Sequence, residues 1–107
     1  MIYEYRDYKA APGRLADVQA RFRDHTLGLF EKHGFKNIGY WTPDEESNDR
    51  LVYIVAFESV AQKERAWASF RADPEWKKVV AASEANGPIV AGVTSTLLTP
   101  MDYSPLQ

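Results

Sequence analysis

Three side chains at alternate positions near the N-terminus, Glu4, Arg6 and Tyr8 in IYEYRDYK, combine a carboxylate, a guanidinium and a phenol. In an extended chain residues i, i+2 and i+4 share a face, so the three project together if this stretch is a strand. A guanidinium so placed can hold a carboxylate or phenolate ligand through paired hydrogen bonds. A carboxylate shielded from water binds its proton more tightly and can then act as a proton acceptor near neutral pH. The competing reading is an internal Glu4–Arg6 ion pair, because buried charges are paired whether or not a ligand is present.

Tyr40 and Trp41 are neighbours on a second extended stretch, so one faces the helices and the other the opposite side of the sheet. Parity leaves open which is which, and both rings also suit plain core packing. His25 falls on an apolar helical stripe, three residues after Phe22 and four before Leu29. That spacing predicts a partly buried, hydrogen-bonded histidine more readily than a catalytic base. Glu4, Arg6, Tyr8, Tyr40, Trp41 and His25 are therefore the candidate ligand-binding residues. His33 is two turns beyond His25, about 12 Å along a helix axis, too far to share a metal with it. No third ligand is near, so no metal is expected.

Several chemistries have no support in the sequence. There is no cysteine, which excludes disulfides, thiolate nucleophiles and zinc–sulfur sites. A nucleophile elbow, a phosphate loop and a dinucleotide glycine pattern are all missing, and no cofactor is expected. The run PDEESND lacks the spacing of a calcium loop and reads as a solvated hairpin turn. Thirteen basic residues against 15 acidic give a net charge of −2, and the basic spots RFRDH and WKK read as solvated helix faces. Nucleic-acid binding is not expected. The charged, alternating start is no secretory segment and nothing approaches a membrane span, so the expected location is cytoplasmic.

The elements that must position these residues are readable from periodicity. Residues 2–9 form a strand, broken by Pro12-Gly13. Leu15, Val18, Phe22, Leu29 and Phe30 then mark one amphipathic helix, ended by Gly34 in a left-handed cap with Phe35 after it. Residues 35–42 and 51–58 form a hairpin around a polar turn at 43–50. On the first of these strands Phe35 and Trp41 share one face by parity, and Ile38 and Tyr40 the other. Ser59, with Gln62 three residues on, opens a second helix through a capping box. Asp73 caps a separate helix with Pro74 at its first position and Trp76, Val79, Val80 and Ser83 as its inner stripe. There Trp76 is expected to cover part of the sheet or its edge. A fourth strand lies within 89–99.

The 107 residues make one domain. The order βαββαβ is the split-βαβ, ferredoxin-like arrangement: an α+β fold with a four-stranded antiparallel sheet and its helices on one face. The third strand is apolar from Leu51 to Phe57 without alternation, so the face without helices is also apolar. Two copies packed sheet to sheet, a homodimeric α+β barrel, would cover it. Tyr3 and Tyr5 are expected under the helices, and Glu4, Arg6 and Tyr8 between the two sheets.

MIYEYRDYKAAPGRLADV resembles the start of NIPSNAP proteins, with their Tyr-Glu-x-Arg-x-Tyr strand and Pro-Gly turn. KHGFKNIGYWT, LVYIVAFES, DPEWKKV and PMDYSPL are similar to the later blocks of that family, in the same order. The resemblance spans nearly the whole chain. It implies a dimeric α+β barrel without an assigned reaction, binding a small molecule or a protein partner. Animal members are associated with mitochondria. This single domain without a transit peptide resembles bacterial members, so that role is not carried over. The rival reading, by analogy of fold alone, is a cofactor-independent monooxygenase or isomerase working in the barrel cavity.

Overall fold

The structure is a computed structural model that describes residues 1–44 and 48–107; residues 45–47 of the polar turn and of the acidic run lie outside the described residues. The chain runs β1 (Ile2–Ala10), α1 (Leu15–Arg21), a π-helical turn (Phe22–Thr26), α2 (Leu27–Lys32), β2 (Lys36–Trp41), β3 (Arg50–Phe57), α3 (Val60–Ala72), α4 (Pro74–Ser83) and β4 (Val90–Leu98). The strands form one sheet in the order β2-β3-β1-β4, every pairing antiparallel. This is the ferredoxin-like α+β fold that the element order predicts.

Local chemistry sets the element ends. Gly34 has φ of 89° and closes α2: its N–H bonds the Glu31 carbonyl at 3.2 Å, and the Phe35 N–H bonds Phe30 at 2.9 Å. That is a Schellman ending, completed by Phe35 stacking on Phe30 with centroids 4.2 Å apart. Ser59 caps α3 by accepting from the Gln62 N–H at 3.1 Å. The reciprocal bond differs from a standard capping box, because Gln62 Oε1 accepts from Glu58 rather than Ser59. Asp73 caps α4, accepting from the Glu75 N–H at 2.9 Å. Its other oxygen takes Lys32 Nζ at 2.8 Å and His33 Nε2 at 2.7 Å, tying the α3–α4 corner to the end of α2.

Three expectations are corrected. First, the helices cover the face of β1 that carries Glu4, Arg6 and Tyr8, not the face of Tyr3 and Tyr5. Glu4 bonds the Trp67 indole of α3, and Tyr8 meets Phe22 edge-on. The charges are tolerated there because each finds a partner, while the phenol of Tyr3 reaches the C-terminal tail at Gln107. Second, a register shift between Asn37 and Gly39 breaks the alternation of β2. Tyr40 is paired with Tyr53 under the helices and Trp41 with Val52 on the uncovered face, so Phe35 and Tyr40 share a side. Third, α4 lies against the first helix and α3, not the sheet: Trp76 packs on Phe70 at 4.5 Å.

The core sits between helices and sheet, where Val18, Phe22, Phe30, Phe35, Tyr53, Val55, Phe57 and Trp67 are buried. The other face carries Tyr5, Val52 and Ile54 half-buried and Trp41 and Leu98 exposed. The Trp41 ring lies over Gly39, where a β-carbon would come within 2.5 Å of it. Among the described residues no helix is long and apolar enough to cross a membrane.

Candidate functional site

The strand pairings bring Glu4, Arg6 and Tyr8 alongside Tyr53 of β3 and Ser95 of β4. Arg6 donates from Nη1 to Glu4 Oε2 at 3.0 Å, from Nε to the Tyr53 hydroxyl at 2.9 Å and from Nη2 to the Tyr8 hydroxyl at 3.2 Å. Glu4 also accepts from Trp67 Nε1 at 2.7 Å and from Ser95 Oγ at 2.6 Å. The Arg6 guanidinium lies 4.4 Å from the Trp67 ring centroid. Tyr53 donates to Tyr8 at 3.2 Å. Carboxylate, guanidinium and phenols thus form one closed network.

Its electrostatics differ from what the sequence suggests for a base. Burial alone would push the Glu4 carboxyl up, but the bonds from Ser95, Trp67 and Arg6 outweigh it and hold it below the usual carboxylate range. Glu4 is therefore a firmly ionised partner of Arg6, not a proton acceptor with raised affinity. Burial likewise opposes the Arg6 charge, yet Tyr53, Tyr8 and Glu4 prevail and raise its proton affinity. Burial and the neighbouring Tyr8 push the Tyr53 phenol well above its ordinary value, with Arg6 pulling the other way.

Tyr40 connects this network to open space. Its ring stacks on Tyr53 at 5.0 Å and meets Phe22 at 5.7 Å, and burial raises its phenol. With Phe22, Arg23, Leu27, Trp41 and Leu51 it lines a groove of about 300 Å³. The π-helical turn supplies Phe22 and Arg23; such turns insert one residue into a helix and recur at functional sites. The same insertion corrects the expectation for His25. Thr26, 1% exposed, takes the inward position and bonds the Arg21 carbonyl at 3.2 Å, while His25 turns out to solvent. The predicted residues therefore divide: Glu4, Arg6, Tyr8 and Tyr40 form one connected cluster, Trp41 sits at the groove edge, and His25 lies elsewhere.

Tyr53, Trp67 and Ser95 belong to the network and were not singled out by sequence. Tyr53 carried a signal, a phenol inside an otherwise apolar strand. Trp67 carried a weaker one, as an indole N–H on a core stripe that must find an acceptor. Ser95 carried none.

Residues 3–105 match the NIPSNAP family. The chain belongs to the NIPSNAP family. No curated protein matches it. Among solved structures it is similar to Atu4242 from Agrobacterium tumefaciens, with a TM-score of 0.86, 22% identity and 100% of both chains covered. A NIPSNAP-like domain protein from Burkholderia xenovorans gives a TM-score of 0.84 at 24% identity over 97% of this chain and 88% of that one. SnoaB from Streptomyces nogalater, a cofactor-independent oxygenase, gives a TM-score of 0.66 at 16% identity over 97% and 96%. At these identities the structural likeness carries the fold, and the family's biochemical activity is undefined.

Proposed function

We propose that this NIPSNAP protein is a cytoplasmic homodimer that binds a small aromatic acid in the groove between the π-helical turn and β2. The carrying observation is the lining of that groove: Tyr40, Phe22, Leu27 and Leu51 offer apolar surface beside one cation, Arg23, that has no ion-pair partner among the described residues. Apolar walls with a single convergent charge suit a flat acid. The closed Glu4–Arg6–Tyr53 network stiffens the wall behind the ligand rather than holding it. Dimerisation rests on the sheet face opposite the helices: the C-terminal tail covers it at Tyr3 and the Asp7–Arg50 pair lies on it, but Tyr5, Val52, Ile54, Trp41 and Leu98 leave it more apolar than water-facing sheets usually are.

Native mass spectrometry of the purified protein tests both parts. It should give about twice the 12.2 kDa chain mass and, with added aromatic carboxylates, a saturable adduct. Leu27→Trp, which fills the groove, should remove the adduct and leave the dimer. A monomer overturns the assembly, and no adduct with any aromatic acid overturns the groove.

The shared fold with SnoaB supports a second reading, a cofactor-independent oxygenase. Without a cofactor the substrate must supply every electron: a phenol and one of its ring C–H positions become the two carbonyls of a quinone, one oxygen atom entering the ring and the other leaving as water with the two hydrogens lost. Oxygen uptake on adding electron-rich phenols, lost in Leu27→Trp, would favour it; no uptake over the buffer rate would dismiss it.

A further inference from the structure

A second groove, of about 510 Å³, runs along the other side of the π-helical turn, between it and α4. Arg21 forms part of its lining and is only 8% exposed. The compensation for this buried charge is thin. Nη1 donates to Ser83 Oγ at 3.2 Å, the Glu84 carboxylate stands 3.8 Å away, and the guanidinium lies 5.3 Å from the Trp76 centroid. Nε has no hydrogen-bond partner among the described residues. One buried donor, Nε, is therefore unmet, and the two Nη groups share a single hydrogen bond. Burial outweighs the attraction of Glu84 and Tyr8 and lowers its proton affinity, the opposite of Arg6. A carboxylate in the groove would accept from the Nη donors that Ser83 leaves free, through charge-assisted bonds.

The rest of the lining narrows the ligand. Asp17, Asp24 and Glu75 outnumber the cations Arg21 and Lys78 at this groove, with His25 beside them, so a polyanion such as phosphate would meet net negative charge. A ligand with a single carboxylate and a nearby ammonium meets both charges, and Ala82 and Val79 leave room for a small apolar group. The geometry points to an α-amino acid site: carboxylate on Arg21, ammonium toward Asp24 and Glu75, side chain against α4. This site is separate from the aromatic groove, and its test is independent of that reading.

The experiment is an NMR titration that follows the Arg21 Nε–H resonance, with L-alanine, L-leucine, propionate and inorganic phosphate as probes. L-Alanine or L-leucine should move that resonance saturably with Kd near or below about 1 mM. Propionate should bind at least fivefold more weakly and phosphate not at all. The double variant Asp24→Asn, Glu75→Gln should bring the amino acids down to the level of propionate. Arg21→Met should abolish the response of the neighbouring Ala82 and Val79 resonances. If Arg21→Met does not fold, Ala82→Trp at the exposed wall of the groove serves the same purpose. An unmoved Arg21 resonance with every probe overturns the site. Equal affinity for propionate or phosphate overturns the zwitterion assignment.

Discussion

Arg6 and Arg21 are both guanidiniums largely withdrawn from water, Arg6 between sheet and helices and Arg21 between the π-helical turn and α4, and the structure treats them in opposite ways. Arg6 donates to three side chains, one of them an ionised carboxylate that is itself bonded by Trp67 and Ser95. Arg21 has one hydroxyl partner within hydrogen-bonding distance and a carboxylate at 3.8 Å. The difference follows from where each stands. Arg6 is on a central strand, where neighbours on both sides present side chains to the same face at fixed spacing. Arg21 is at the junction of α1 with the π-helical turn, where the partners come from one short helix. A buried charge in a closed network serves stability; one left open has unused capacity for a ligand.

The largest expected effect comes from breaking the closed network. Arg6→Met removes the charge, keeps much of the volume and strands Glu4 among the core rings. Unfolding stability at neutral pH should fall by about 3–5 kcal/mol, read by chemical denaturation. A loss under about 1 kcal/mol would show that Glu4 is satisfied without Arg6.

Acid should reveal the same network. The folded-state carboxyl of Glu4 is held below its ordinary value, so its contribution is complete above the unfolded carboxylate pKa and is lost as pH falls through the folded one. Comparing wild type with Glu4→Gln between about pH 6 and pH 2, the stability difference should shrink steadily as the pH drops. A constant difference would mean that Glu4 is not ionised in the native state.

Asp73 offers an intermediate case, buried like Glu4 but placed at a corner between helices. Asp73→Ala loses the cap bond to Glu75 and both contacts to Lys32 and His33, so its urea midpoint should drop below that of Asp73→Asn, which keeps a capping oxygen. Equal midpoints would assign the whole effect to the ion pairs.

The smallest effect on stability is expected at Arg21. Because its charge is poorly compensated, Arg21→Met should leave the protein as stable as wild type or firmer by about 1 kcal/mol. A loss as large as that of Arg6→Met would erase the contrast between the two sites.

The sequence by itself determined the elements, their order and the companionship of Glu4, Arg6 and Tyr8. Those follow from periods of 2 and 3.6, from Gly34, Ser59 and Asp73 as caps, and from Pro74, all of which act within a few residues. Tertiary structure decided which face of β1 the helices cover, because that choice depends on Trp67 and Ser95, 63 and 91 residues from Glu4. It also decided where Trp41 and His25 point. A one-residue irregularity in β2 sends Trp41 to the face away from Phe35, and the π-helical turn puts Thr26 inward in place of His25. Both irregularities shift every later side chain by one position, and they form where packing across the sheet and the helix favours the shift over regular hydrogen bonding. Periodicity cannot signal them, since each is a departure from the period that depends on residues distant in the chain.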